Sequence, residues 1–198
     1  MEINISVIMG IYNCADTLGE ALDSLLWQTY QDFEVILCDD GSTDNTVEVA
    51  ERYVNKYPDK FILLRNEQNL GLNKTLNKCL YQARGKYIAR MDGDDISLPE
   101  RFQKEIDALK THPEFAVVST PMIFFDKNGD WKTGTAIEYP EKKDFIKHSP
   151  FFCHAPCMIR KEVFLEVEGY SEDRRTLRAE DCHLWYKIYA HGYKGFNL

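Results

Sequence analysis

Lys86-Tyr87-Ile88-Ala89-Arg90-Met91-Asp92-Gly93-Asp94-Asp95 joins a short apolar run to three carboxylates within four residues. The run reads as a buried strand, and the acids fall at its carboxyl end. Like charges so close repel one another unless a cation binds them. A hard divalent ion such as Mn²⁺ or Mg²⁺ prefers oxygen ligands and leaves room for substrate phosphates. The bland alternative is a solvated acidic turn, or a helix cap ahead of Pro99.

Outward from that stretch, strands and helices alternate. Ile3 to Met9 is β-branched and apolar, the mark of a buried strand. Leu18, Ala21, Leu22, Leu25 and Leu26 then follow helical spacing. Phe33 to Cys38 predicts a second strand that runs into Asp39-Asp40-Gly41-Ser42. Asp44 or Ser42 caps the next helix, with Val47, Ala50, Val54 and Tyr57 inward and Pro58 as its stop. Phe61 to Leu64 is a third strand. Leu72, Leu76, Cys79, Leu80 and Ala83 mark a third helix. After the acidic stretch, Pro99 suits the first turn of a fourth helix, with Phe102, Ile106 and Leu109 inward. Phe115 to Ser119 closes the series as a fifth strand.

Short connections and near-continuous apolar strands predict an α/β fold, a mainly parallel sheet with helices on both faces. Ligands bind such sheets beyond the strand carboxyl ends. Tyr12-Asn13, Asp39-Asp40 and Asp92 to Asp95 all occupy such ends and are expected to share one rim.

After residue 120 the pattern changes. Met122 to Phe125 and Trp131 to Thr135 predict a hairpin around Asn128-Gly129. Glu141 to His148 reads as a short helix, Pro156 to Arg160 as a strand and Lys161 to Val167 as a helix. Glu168 to Arg178 is charged and irregular, the composition of a mobile flap. Ala179 to His191 is a last helix, with Glu180 and Asp181 in the first turn, where the helix dipole favours acids.

The chain has 198 residues, a net charge of -8 and six cysteines without a CxxC pair. The length fits a single domain over 1–198. The charge argues against nucleic acid as a partner, and it makes an anionic substrate hard to hold without a bridging cation. The cysteines read as reduced thiols of a cytoplasmic protein. No signal peptide and no membrane-spanning run is visible. Cys153-His154-Ala155-Pro156-Cys157 is a weak zinc candidate, with core packing as the alternative. His154 or His183 in a metal shell, and Arg65, Lys74 or Arg90 against a bound anion, are further candidates below their ordinary structural readings.

Several segments together resemble the family 2 glycosyltransferases. They are Ser24 to Tyr30 with its continuation through Phe33-Glu34-Val35-Ile36-Leu37-Cys38-Asp39-Asp40-Gly41-Ser42, Asn69-Leu70-Gly71-Leu72-Asn73, Ala89 to Asp95, and Ala179-Glu180-Asp181-Cys182-His183-Leu184-Trp185. The resemblance implies a GT-A fold and inverting transfer from a nucleoside-diphosphate sugar, a UDP-sugar by preference, to a saccharide or lipid-linked acceptor. It implies a donor half over 1–120 and an acceptor half over 121–198, cut short at the C-terminus relative to the family. Surface-polysaccharide synthesis at the inner face of a membrane, with peripheral contact, is the family-level expectation. The oligomeric state is left open.

By position, the donor-binding set is Ile11, Tyr12, Asn13, Asp40, Asn69, Asp92 and Gly93. Asp40 would bond the base, Tyr12 would lie against it and Asp92 would face the ribose and sugar. Asp94 would hold Mn²⁺ or Mg²⁺, and Asp181, beside Glu180, would be the general base. Gly10-Ile11 departs from the Pro-Thr or Thr-Ser of many relatives, which removes a hydroxyl contact to the nucleotide.

Three rival functions have weaker support. A receiver-like switch wants its acids after strands one and three. A nucleotidyltransferase needs a glycine-rich basic loop after strand one. A catalytically incomplete donor-binding module would not need both Asp94 and Asp181.

Overall fold

The computed structural model describes residues 3–146, 151–176 and 178–198. At its centre β1 (Ile5–Ile11) pairs in parallel with β2 (Phe33–Asp39) and with β4 (Tyr87–Arg90), and β3 (Phe61–Arg65) extends the sheet beyond β2. All residues of β2 and β4 are buried, as a sheet covered on both faces requires. Alternation along β1 divides the core: Val7, Met9 and Ile11 face one layer and Ile8 the other.

The helices sort by those faces. α1 (Ala15–Leu26), α2 (Thr46–Lys56) and α4 (Arg101–Thr111) bury Leu18, Leu22, Leu25, Ala50, Phe102, Ile106 and Leu109 in the first layer. α3 (Leu72–Gln82), α5 (Lys161–Glu166) and α6 (Glu180–Ala190) bury Leu76, Leu80, Phe164, Leu184, Trp185 and Ile188 in the second. The acid in the interior of β2, Glu34, is neutralised by Arg84 Nε at 2.8 Å and bonded by Ser6 Oγ at 2.6 Å, while Asp39 closes the strand.

The chain after α4 departs from a simple alternation. β5 (Val117–Ser119) does not lie beside β4. β8 (Met158–Arg160) slots between them, antiparallel to both, and β9 (Gly195–Asn197) pairs in parallel with β5. The sheet order is therefore β3-β2-β1-β4-β8-β5-β9. Arg160 fixes the insertion: its guanidinium donates to Phe115 O at 2.8 Å and Leu109 O at 2.6 Å.

Pro99 also differs from expectation. It precedes the α4 N-cap Glu100, and its carbonyl accepts from Thr29 N at 2.8 Å. Buried Gln28 clamps this loop, donating to Leu98 O at 2.8 Å and accepting from Phe102 N at 3.1 Å. A tether from α1 thus sets where α4 begins.

The expected hairpin forms from β6 (Ile123–Asp126) and β7 (Gly129–Thr133), with Lys127-Asn128 as its turn and Gly129 opening β7, and it stands exposed. Lys142–Ile146 forms a 3₁₀ turn; residues 147 and 148 of the expected helix lie outside the described residues. The expected flap is tied down at its start. Asn77 clamps both backbone groups of Tyr170, at 2.8 and 2.9 Å, and Asn73 Nδ2 reaches Ser171 O at 2.5 Å.

Candidate active site

A cleft of about 200 Å³ opens at the carboxyl ends of β1 and β2, lined by Gly10, Ile11, Tyr12, Asp40, Asn69, Gly71, Leu72 and Thr75. Ile11 is buried and forms part of the wall. Tyr12 is 48 % exposed, a large ring left open to solvent beside the cleft. Asn69 is exposed at the opposite lip.

Asp40 is 5 % exposed, and its carboxylate organises the far wall. Oδ1 accepts from Asn66 Nδ2 and from Leu70 N, each at 2.8 Å, and Oδ2 accepts from Gly71 N at 2.9 Å. A carboxylate has about four acceptor positions, so one remains for a ligand in the cleft. Gly71 reaches this geometry at φ +90°, which glycine adopts without a Cβ clash. At Gly41 (φ +77°) a Cβ would lie 2.9 Å from Asn69 N, so the two loops of the cleft meet backbone to backbone.

Asn13 serves the neighbouring latch. Its Oδ1 accepts from Thr43 N at 2.8 Å, and its own N–H donates to Ser42 Oγ at 3.0 Å. Asp44 accepts from Ala15 N at 3.1 Å and Thr46 N at 3.0 Å, so one carboxylate serves the starts of both α1 and α2. It does so from the residue before the α2 N-cap Asn45.

The acidic stretch leaves β4 beside this cleft. Gly93 packs so closely that a Cβ would lie 2.8 Å from Cys14 Sγ, and its carbonyl accepts from Thr17 Oγ1 at 2.9 Å. Asp94 is exposed. Asp95 is held above the usual carboxylate range, first by burial and then by the charges of Asp92 and Asp94. Asp92 turns back to pair with the buried guanidinium of Arg90. Burial disfavours the Arg90 cation, but the Asp92 charge and hydrogen bond outweigh it and raise its pKa.

Among the described residues, no group of three or more His, Cys, Asp or Glu side chains forms a metal cage. The residues still fit a hard cation held in part by its ligand. The donors are oxygen only, Asp94 is open, and the crowding that raises Asp95 is relieved by positive charge. Ions such as Mg²⁺ are usually held by one or two carboxylates plus substrate phosphates.

Asp181 sits with Glu180 in the first turn of α6, both half-buried. Its Oδ1 accepts from Cys182 N at 2.7 Å. Tyr170 is buried within reach of both acidic motifs' charges. Its hydroxyl bonds His154 Nε2 at 2.7 Å. It is pushed well above the ordinary phenol value, first by burial, then by Cys157, Asp92 and Asp181, with Arg90 opposing. The Asp92 and Asp181 charges therefore act on one buried group.

The other candidates take structural places. His154 is half-buried against Tyr170, and desolvation followed by the Arg90 charge holds it well below the usual imidazole range. Burial pushes the Cys157 thiol up to about 12, which disfavours a thiolate ligand there. All six cysteines are unbridged. Arg65 pairs with Glu51. His183 lines a separate cleft of about 360 Å³ with Asn77, Tyr81, Tyr170 and Lys187. Lys74 is exposed.

Sequence reasoning missed Tyr170 and underrated Arg90. The signal was present as two asparagines, Asn73 and Asn77, within the helical stripe of α3. Both are buried and both hold the segment that carries Tyr170.

The family described as Glycosyl transferase family 2 matches residues 6–167. Putative glycosyltransferase EpsE of Bacillus subtilis is 43% identical over 194 residues, which cover 98% of this chain and 69% of the relative. Amylovoran biosynthesis glycosyltransferase AmsE of Erwinia amylovora is 32% identical over 197 residues, with 98% and 72% covered. UDP-Glc:alpha-D-GlcNAc-diphosphoundecaprenol beta-1,3-glucosyltransferase WfaP of Escherichia coli is 30% identical over 201 residues, with 100% and 74% covered.

Among solved structures, S. aureus TarS 1–349 in complex with UDP-GlcNAc is similar at a TM-score of 0.79 and 25% identity, covering 98% of this chain and 56% of that one. Mannosyltransferase PcManGT from Pyrobaculum calidifontis, in complex with GDP-Man and Mn2+, shares the fold at a TM-score of 0.77 and 22% identity. There 98% of this chain and 54% of that one are covered, so the chain spans about half the length of these solved relatives.

Proposed function

The chain belongs to glycosyl transferase family 2, and on that premise we propose that it moves a sugar, with inversion, from a nucleoside-diphosphate sugar to a hydroxyl of a saccharide or lipid-linked acceptor. The observation that carries this reading is the cleft walled by Tyr12 and by Asp40, whose carboxylate keeps one acceptor position open, beside the loop that carries Asp94. We assign the cleft to the nucleoside and the Asp92–Asp94 edge to the ribose and diphosphate. Asp181 is assigned to the acceptor.

Within that assignment the base lies against Tyr12 and takes the remaining acceptor position of Asp40. Asp92 faces the ribose and sugar. Asp94 would hold Mn²⁺ or Mg²⁺, which when bound would supply Lewis-acid stabilisation of the departing diphosphate. Asp181 accepts the acceptor hydroxyl proton at Oδ2, since Oδ1 is engaged by the Cys182 amide. As the acceptor oxygen bonds the anomeric carbon, the bond from that carbon to the diphosphate oxygen breaks on the opposite side. A positioned base of this kind contributes typically about 10²–10⁴-fold.

A UDP-sugar is favoured by the relatives whose names print one, TarS with UDP-GlcNAc and the UDP-Glc enzyme WfaP. The latter's diphosphoundecaprenol acceptor supports a lipid-linked substrate and surface-polysaccharide synthesis, at the cytoplasmic face of a membrane. Among the described residues no helix is long and apolar enough to cross one.

The test is a thermal-shift panel of nucleoside diphosphates and nucleotide sugars with and without Mn²⁺. Saturating ligand at about 100 times Kd stabilises by roughly 2.7 kcal/mol, so uridine ligands with Mn²⁺ should give the largest shift. A panel in which no nucleotide shifts the transition contradicts the proposal.

A further inference from the structure

Arg90 is 3 % exposed, one residue before the acidic stretch leaves the sheet. Its Nη1 pairs with Asp92, and its Nε has no hydrogen-bond partner among the described residues. Its backbone is held on two sides. Its amide donates to Cys157 O at 2.9 Å, and its carbonyl accepts from Arg101 Nη2 at 2.8 Å. Arg101 in turn pairs with Glu105 at 3.2 Å, also buried. A ladder of four charged residues thus runs from α4 through β4 to the rim and ends at Asp92.

A buried ion pair is a poor source of stability; well-packed apolar residues of similar volume are often as good or better. The guanidinium is not fully bonded, so packing alone does not explain its presence. Its one charged contact is the half-open carboxylate whose other side faces the rim. That contact offsets the like charge that Asp92 shares with Asp94 and Asp95 and ties its carboxylate to the end of β4. A buried arginine keeps its charge where a lysine readily loses it, so the two are not interchangeable at this position.

We propose that Arg90 is the positioning residue of the donor site, fixing Asp92 toward the ribose and sugar and holding it apart from Asp94, which is left for the cation. This rests on the reading of Asp92 given above. Arg90 acts through Asp92 and touches no substrate.

The test is a double-mutant cycle on UDP affinity, measured by calorimetry with Mn²⁺, for Arg90→Lys, Asp92→Asn and the pair. Each single change is expected to weaken UDP about tenfold, and the pair no more than Asp92→Asn alone. A merely structural role would lower the fraction of binding sites and leave Kd per site unmoved. Arg90→Lys with wild-type Kd, or a pair whose loss is the product of the two singles, overturns the inference while the proposed function stands. Asp92→Asn with wild-type Kd instead defeats the reading of Asp92 on which it rests. A second measurement does not depend on any Arg90 variant folding. Asp92→Asn should lower the melting temperature by several degrees, because it leaves Arg90 unpaired, whereas Asp94→Asn should not. Equal melting of both variants and wild type overturns the inference.

Discussion

The amide of Gly71 donates to Asp40 Oδ2 at 2.9 Å, closing the loop before α3 onto the end of β2. With Leu70 N and Asn66 Nδ2 on Oδ1, the same carboxylate that faces the cleft also builds its wall. Binding and stability are therefore joined at Asp40. Asp40→Asn turns an amide N–H₂ toward a backbone donor and removes the charge. It should destabilise by about 1–3 kcal/mol, about 2–4 °C in Tm for each kcal/mol in a domain of this size. Urea titration and UDP calorimetry should show both losses together; weaker UDP binding at wild-type stability would separate the two roles.

Asp94 has the opposite character, because it is exposed and, among the described residues, no hydrogen bond of the fold depends on it. Asp94→Ala should keep the wild-type Tm and remove the Mn²⁺ dependence of nucleotide binding. Calorimetry with Mn²⁺ and with EDTA measures this directly. A variant that still binds more tightly with Mn²⁺ would take Asp94 out of the cation site.

Asp181→Asn retains the acceptor for the Cys182 amide but cannot take a proton. Its kcat should fall by about 10²–10⁴-fold, with Kd for UDP within twofold of wild type. Steady-state turnover and calorimetry on the same preparation check the split. Full turnover would reassign the base, with Glu180 next in line.

Glu105 gives a stability signature. It is fully buried, and burial pushes its carboxyl from the ordinary 4.5 up to about 7 against the opposing Arg101 charge. The folded state binds this proton more tightly than the unfolded state. Its favourable contribution is therefore complete below about pH 4.5 and is lost as pH rises to about 7. Glu105→Gln should remove that component, so the stability difference between wild type and variant should shift in the variant's favour from pH 5 to pH 8. Denaturant midpoints across that range test it. A difference independent of pH would mean that Glu105 is already ionised at pH 5.

The parallel half was legible because its strands and helices are long enough to show their periods. Ile5–Ile11 and Phe33–Asp39 are near-continuous apolar runs, and Leu18, Leu22 and Leu25 fall at helical spacing. The rim positions of Tyr12, Asp40 and Asp92 follow from strand ends alone. β8 and β9 were harder, since three residues carry no period. The insertion of β8 rests on Arg160 bonding to Phe115 and Leu109 carbonyls far away in sequence. The engagement of Asp40 by Leu70 and Gly71 amides was hidden for a similar reason: backbone donors leave no mark on side-chain chemistry. Arg90 looked like any strand-end cation until its burial against Asp92 was seen.

The central claim is that one bound nucleotide touches both the Tyr12–Asp40 cleft and the Asp94 edge, with Asp181 facing its sugar. A crystal structure of the protein with a UDP-sugar and Mn²⁺ measures this most directly. The account predicts the uracil against Tyr12 beside Asp40, a cation bridging Asp94 and the diphosphate, and the Asp181 carboxylate on the far side of the anomeric carbon. A nucleotide seated elsewhere, or a cation bound without Asp94, would contradict it.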